Sequence, residues 1–61
     1  MDSLRIKGNW NEMKGKIKKQ WGSLTDDDLT FQEGQEEELV GKIQKRTGKT
    51  RDEIIRYINN L

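Results

Sequence analysis

The apolar positions in the first third of the chain repeat at helical spacing. Ile6, Trp10, Met13, Ile17, Trp21 and Leu24 are four, three, four, four and three residues apart. At about 100° per residue they share one narrow stripe, which predicts an amphipathic helix near 3–21. Ser3 offers its N-cap, with Leu4 in the first turn. Gly22 offers its stop, because glycine enters the left-handed region without a Cβ penalty. Thr25 followed by Asp26, Asp27 and Asp28 has the form of a second start: a capping hydroxyl, then carboxylates that complement the positive end of the helix dipole. Leu29 and Phe31 fall about 160° apart on a helix, and Gly34 comes soon after. A short helix near 26–33 is therefore expected to break at Gly34. A longer one near 35–47 carries Leu39, Val40 and Ile43 and stops at Gly48. Thr50-Arg51-Asp52-Glu53 has the form of a capping box. Ile54, Tyr57, Ile58 and Leu61 form one face behind it, with Ile55 at the edge, which predicts a helix near 51–60.

With no proline and no alternating β-branched run, no strand is expected. The expected fold is all-α, a compact bundle of four short helices. An internal repeat supports two similar halves. Gly15-Lys16-Ile17-Lys18-Lys19-Gln20-Trp21-Gly22 aligns with Gly41-Lys42-Ile43-Gln44-Lys45-Arg46-Thr47-Gly48. Each copy ends at a glycine followed within three residues by a capping threonine. Chance likeness of two Lys-rich amphipathic helices accounts for the repeat equally well.

Composition narrows the function classes. Sixty-one residues form a single domain over 1–61, with no linker or low-complexity tract. A chain 30% apolar and 38% charged, with mean hydropathy −1.13, builds a small core and no deep preformed cavity. The absence of Cys removes disulfides, thiol chemistry and thiolate metal sites. The absence of His removes the usual general base, pH switch and metal ligand. Apolar residues never run more than two together, so neither a membrane span nor a signal-peptide core is expected. No heptad seam is long enough to demand a dimer, and a monomer is expected.

A net charge of +1 hides segregation. Residues 1–24 carry +4, residues 25–41 carry −7 with no basic group, and residues 42–61 carry +4. The simplest consequence is an acidic middle packed between basic ends, each exposed pair contributing about 0–1 kcal/mol. The alternative is that the basic faces meet an anionic partner such as nucleic acid. A pI near 8.0 and lysines spread around the first helix favour the first reading.

Other motifs carry little chemistry. Asp26, Asp27 and Asp28 lack the alternation and the sixth-position glycine of a calcium loop, and consecutive helical side chains splay about 100° apart. Gly15-Lys16 and Gly41-Lys42 fail the phosphate-loop pattern, because Gly8 and Gly34 lie too far upstream and Ile17 and Ile43 follow the lysines. Gly15, opposite the apolar seam, suits either a close helix approach or a local bend. Trp10 and Trp21 lie on the seam and are expected in the core rather than as base-stacking or membrane anchors, Trp21 partly exposed near the helix end. Ser3 and Ser23, the only serines, have no His to activate them, so no enzyme activity, cofactor or metal is expected.

The strings Gly8-Asn9-Trp10, Lys14-Gly15-Lys16-Ile17-Lys18 and Gln20-Trp21-Gly22-Ser23-Leu24-Thr25-Asp26-Asp27-Asp28-Leu29 closely resemble the CsbD-like family of small bacterial proteins. Gly34 and Leu39-Val40-Gly41-Lys42-Ile43-Gln44-Lys45-Arg46-Thr47-Gly48 extend the resemblance over about residues 4–60. It implies a general stress-response protein of the cytoplasm with no assigned enzymatic activity. It also implies two orthogonal α-hairpins in a SAM-domain-like arrangement, and supplies no catalytic or ligand residues.

The resulting expectation is a non-enzymatic protein that binds an unidentified macromolecule. The candidate contact surface comprises Lys14, Lys16, Lys18, Lys19, Lys42, Lys45 and Arg46. A nucleic-acid-binding helical module is the second reading, argued by analogy with helix-hairpin-helix folds but without their glycine-rich turn. A hydrated protective protein, partly disordered when dilute, is the third.

Overall fold

A computed structural model describes residues 3–6 and 8–61; Met1, Asp2 and Lys7 lie outside the described residues, and with them the predicted helical position of Lys7. Among the described residues three helices form: α1 (Trp10–Gln20), α2 (Glu36–Thr47) and α3 (Arg51–Asn59). There is no strand among the described residues. The all-α expectation holds. The four-helix bundle of paired orthogonal hairpins does not, because the first predicted helix starts late and the second is a single turn.

The first helix starts at Trp10 rather than near Ser3. Gly8 takes a left-handed φ of 77°, which no continuous helix tolerates. Asn9 then caps α1, its Oδ1 accepting from the Asn11 N–H at 2.9 Å. The segment before Gly8 finds other partners. Asn59 on α3 accepts from the Arg5 N–H at 2.8 Å and donates to the Ser3 carbonyl at 3.0 Å. One side-chain amide thus satisfies two backbone groups, and Leu4 still reaches the core at 5% exposure. At its other end α1 stops at Trp21, whose extended backbone (φ −127°, ψ 91°) turns the chain. Gly22 does not adopt the left-handed conformation expected of it.

The predicted helix near 26–33 is one turn, closed by Leu29 N–H to Asp26 O (3.1 Å) and Thr30 N–H to Asp27 O (3.3 Å). Its start has the expected chemistry: the Asp28 N–H donates to Thr25 Oγ1 at 3.3 Å, and the Thr25 N–H donates to the Asp28 carboxylate at 3.0 Å. Propagation fails because Leu29 and Phe31 must both face inward. A helix points them apart, whereas residues two apart in extended chain point the same way. Leu29 is fully buried and Phe31 packs on Trp10, ring centroids 5.3 Å apart. The Trp10 indole N–H donates to the Leu29 carbonyl at 3.1 Å, so the irregular backbone keeps its hydrogen bonding.

Gly34 (φ 91°) makes the expected break, and α2 begins with Glu36, Glu37 and Glu38 in its first turn. Gln35, the cap, makes no side-chain capping hydrogen bond, so these carboxylates carry the favourable dipole interaction. Gly48 (φ 71°) ends α2, its N–H donating to Gln44 O at 2.8 Å. Thr50 caps α3 as predicted, accepting from the Glu53 N–H at 3.1 Å. Arg51 ties α3 back to Glu37 of α2 through Nε, 3.1 Å from Oε2.

One apolar cluster holds these pieces together. Met13 and Ile17 come from α1, Leu39, Val40 and Ile43 from α2, and Ile54, Ile55 and Ile58 from α3. Leu4, Leu24 and Leu29 enter from the connecting segments. Ile55, expected at an edge, is buried; Leu61, expected on the inner face, is 42% exposed. Ile6, Trp10 and Trp21 are half-buried against the cluster rather than within it. An added Cβ at Gly15 would meet nothing within 4 Å, which excludes the close helix approach considered for that residue.

Candidate functional site

The acidic turn organises the basic residues around it. Lys18 reaches Asp26 from α1, Nζ to Oδ1 at 2.9 Å, and Arg46 reaches Asp28 from α2 at 3.1 Å. Ser23 donates to the Arg46 carbonyl at 3.4 Å, which binds the same loop to the end of α2. The pKa of Asp26 is lowered chiefly by its hydrogen bond from Lys18, then by the charges of Lys18 and Lys14. That of Asp28 is lowered chiefly by the Thr25 backbone N–H, with the Thr25 hydroxyl and Arg46 assisting. The charge segregation along the chain is thus partly closed within the molecule.

The seven candidate cations separate into groups. Lys14 and Lys18, four apart on α1, lie towards Asp26. Lys16 and Lys19, three apart, occupy a different side of the same helix. Lys42, Lys45 and Arg46 line a shallow depression of about 370 Å³ on α2, closed by Asp27 and Asp28. Lys16, Lys19, Lys42 and Lys45 are exposed and make no ion pair among the described residues. The acidic turn lies between Lys18 of α1 and Arg46 of α2, with one carboxylate on each.

A second depression, of about 430 Å³, lies at the junction of the α1 end and α3. Trp21 and Tyr57 meet there edge to face, centroids 5.0 Å apart and planes at 63°. The Tyr57 hydroxyl donates to the Lys16 carbonyl at 3.4 Å. Lys49 and Arg56 flank the rings. Lys49 and Arg56 were not among the sequence candidates: they belong to neither Gly-Lys-Ile segment. The available signal was the pairing of a terminal seam tryptophan with the sole tyrosine, but their proximity requires the tertiary fold.

Among the described residues no group of three or more acidic, His or Cys side chains is placed to hold a metal ion. No helix among them is long and apolar enough to cross a membrane.

The CsbD-like family matches residues 5–56. The UPF0337 protein YjbJ of Escherichia coli is 59% identical over 46 residues, covering 75% of this chain and 67% of that protein. A UPF0337 protein of Pectobacterium atrosepticum is 52% identical over 52 residues, covering 85% of this chain and 75% of that protein. A UPF0337 protein of Rhodopseudomonas palustris is 43% identical over 60 residues, 98% of this chain and 91% of its own length. No solved structure gives a significant match. The matched span contains all of α1 and α2, the acidic turn and most of α3, and on it the chain belongs to the CsbD-like family.

Proposed function

We propose that this protein is a non-enzymatic, stress-associated bacterial protein that works as a cytoplasmic monomer by binding a macromolecule through its lysine-bearing helix faces. The stress association follows from the family resemblance. The observation that carries the binding reading is the contrast among the cations. Lys18 and Arg46 are held by carboxylates, whereas Lys16, Lys19, Lys42 and Lys45 stand exposed and unpaired among the described residues. Exposed charge of this kind steers encounter and contributes to partner choice more than it contributes to stability.

The test is quantitative capture of partners from stressed-cell lysate with the parent protein and with Lys16→Glu/Lys19→Glu/Lys42→Glu/Lys45→Glu. The reading predicts that specific partners fall away with the reversed charges while the helical circular dichroism remains. Partners retained in full by the variant contradict it.

A further inference from the structure

We infer that the cleft between the end of α1 and α3 binds single-stranded nucleic acid, one unstacked base against Trp21 and Tyr57 and the adjoining phosphates on Lys49 and Arg56. None of the lysine-face candidates of α1 and α2 lines this cleft, so the two readings are tested by different substitutions.

Four observations carry it. The cleft volume of about 430 Å³ falls in the range of small-ligand sites, about 300–1,000 Å³, and suits a single nucleotide unit. Its floor contains two half-buried aromatic rings in contact, and aromatic surface is what unstacked bases seek in sequence-tolerant single-strand binders. Lys49 and Arg56 are exposed and make no ion pair among the described residues. Gln20 and Asn60 add side-chain amides at the rim, able to meet the donors and acceptors of a base edge. Asn60 donates from Nδ2 to the Arg56 carbonyl at 2.7 Å, which leaves its side-chain Oδ1 to accept from a ligand.

The alternatives fit less well. A helical peptide seeks a continuous apolar groove, and among the described residues the only aliphatic apolar side chain lining this cleft is Leu61. A strand-like peptide needs a sheet edge, and no strand exists among the described residues. Among the described residues the one carboxylate side chain lining the cleft, Glu53, accepts from the Thr50 hydroxyl at 3.3 Å in the cap of α3. Two cationic side chains therefore face the ligand against one carboxylate side chain.

The experiment is fluorescence anisotropy of a short labelled oligothymidylate titrated with the full chain at low and at physiological salt. Binding that weakens with salt is expected, with a slope of roughly −0.7 for each phosphate neutralised. Lys49→Gln/Arg56→Gln, both surface changes, is expected to weaken binding tenfold or more and to flatten the slope by roughly 1.4. Trp21→Ala is expected to weaken it by roughly tenfold through lost stacking, with circular dichroism verifying that the helices persist. Lys16→Gln/Lys19→Gln/Lys42→Gln/Lys45→Gln is expected to retain thymine-induced quenching of tryptophan fluorescence. No binding at low salt overturns the inference and leaves the lysine-face reading to its own test. Binding that survives the Lys49/Arg56 change but is lost in the quadruple variant also overturns it, and assigns the contact to the lysine faces instead.

Discussion

The two Gly-Lys-Ile segments share a pattern, and the structure treats their ends differently. After the second, Gly48 is left-handed, Thr50 caps, and a nine-residue helix follows. After the first, Gly22 is not left-handed, Thr25 forms a reciprocal cap with Asp28, and the helical turn closes once and stops. The caps are chemically alike, so the cap does not decide. The apolar spacing behind it does. Ile54, Ile55 and Ile58 fit one helical face and are all buried, whereas Leu29 and Phe31 fit an inward face only where the chain leaves the helix. A cap nucleates a turn; only a helical apolar stripe makes continuing it favourable.

The sharpest challenge to this comparison removes a core anchor from each region. Leu29 and Ile54 are both fully buried, so Leu29→Ala and Ile54→Ala should each cost about 2–5 kcal/mol in urea unfolding. A loss below about 1 kcal/mol at Leu29 would show that the irregular segment is not anchored as described.

Next in size are the caps. Gly48→Ala forces a Cβ into the left-handed region and should cost about 1–2 kcal/mol. Thr50→Ala should cost about 1 kcal/mol and lower the helical circular dichroism. Thr25→Ala should leave that helical signal unchanged, because no helix follows it.

A smaller effect of opposite sign belongs to Gly15 and Gly41. Both lie inside helices with open space where a Cβ would stand. Alanine at either should raise stability by about 0.5–1 kcal/mol, read as an upward shift in melting temperature. A destabilised Gly15→Ala would mean that something packs against that face.

The smallest effect is acid sensitivity. Asp26 and Asp28 titrate below their ordinary value of 3.8 in the folded protein, so the unfolded chain takes up their protons first. Their contribution is present above pH 3.8 and is lost as pH falls through the lowered folded values. Asp28→Asn should flatten the stability profile in that acidic window and leave its shape near neutrality unchanged.

Much of this molecule was legible in its residues, and the exceptions have physical causes. Thr50 with Glu53, the breaks at Gly34 and Gly48, the inward face of α2 and the burial of Ile54 and Ile58 on α3 follow from local chemistry and spacing. The late start of α1 does not, because the segment before Gly8 is satisfied by Asn59, more than fifty residues away in the chain. The 3.6-residue rhythm from Ile6 to Trp10 therefore reports burial on both sides of a break rather than one helix. The lysine candidates were visible as a composition, but their division by Asp26 and Asp28 depends on the loop that places that turn between α1 and α2. The Trp21–Tyr57 cleft was hidden for the same reason: its parts come from chain segments that meet only in the folded protein.

The most direct test of the central claim, that like caps lead to unlike continuations, is a set of backbone NMR chemical shifts for the full chain. The account predicts sustained helical shifts over 10–20, 36–47 and 51–59, with no more than one turn of helical character at 26–29 and none through 30–33. Uninterrupted helical shifts from Asp26 to Glu33 would contradict it.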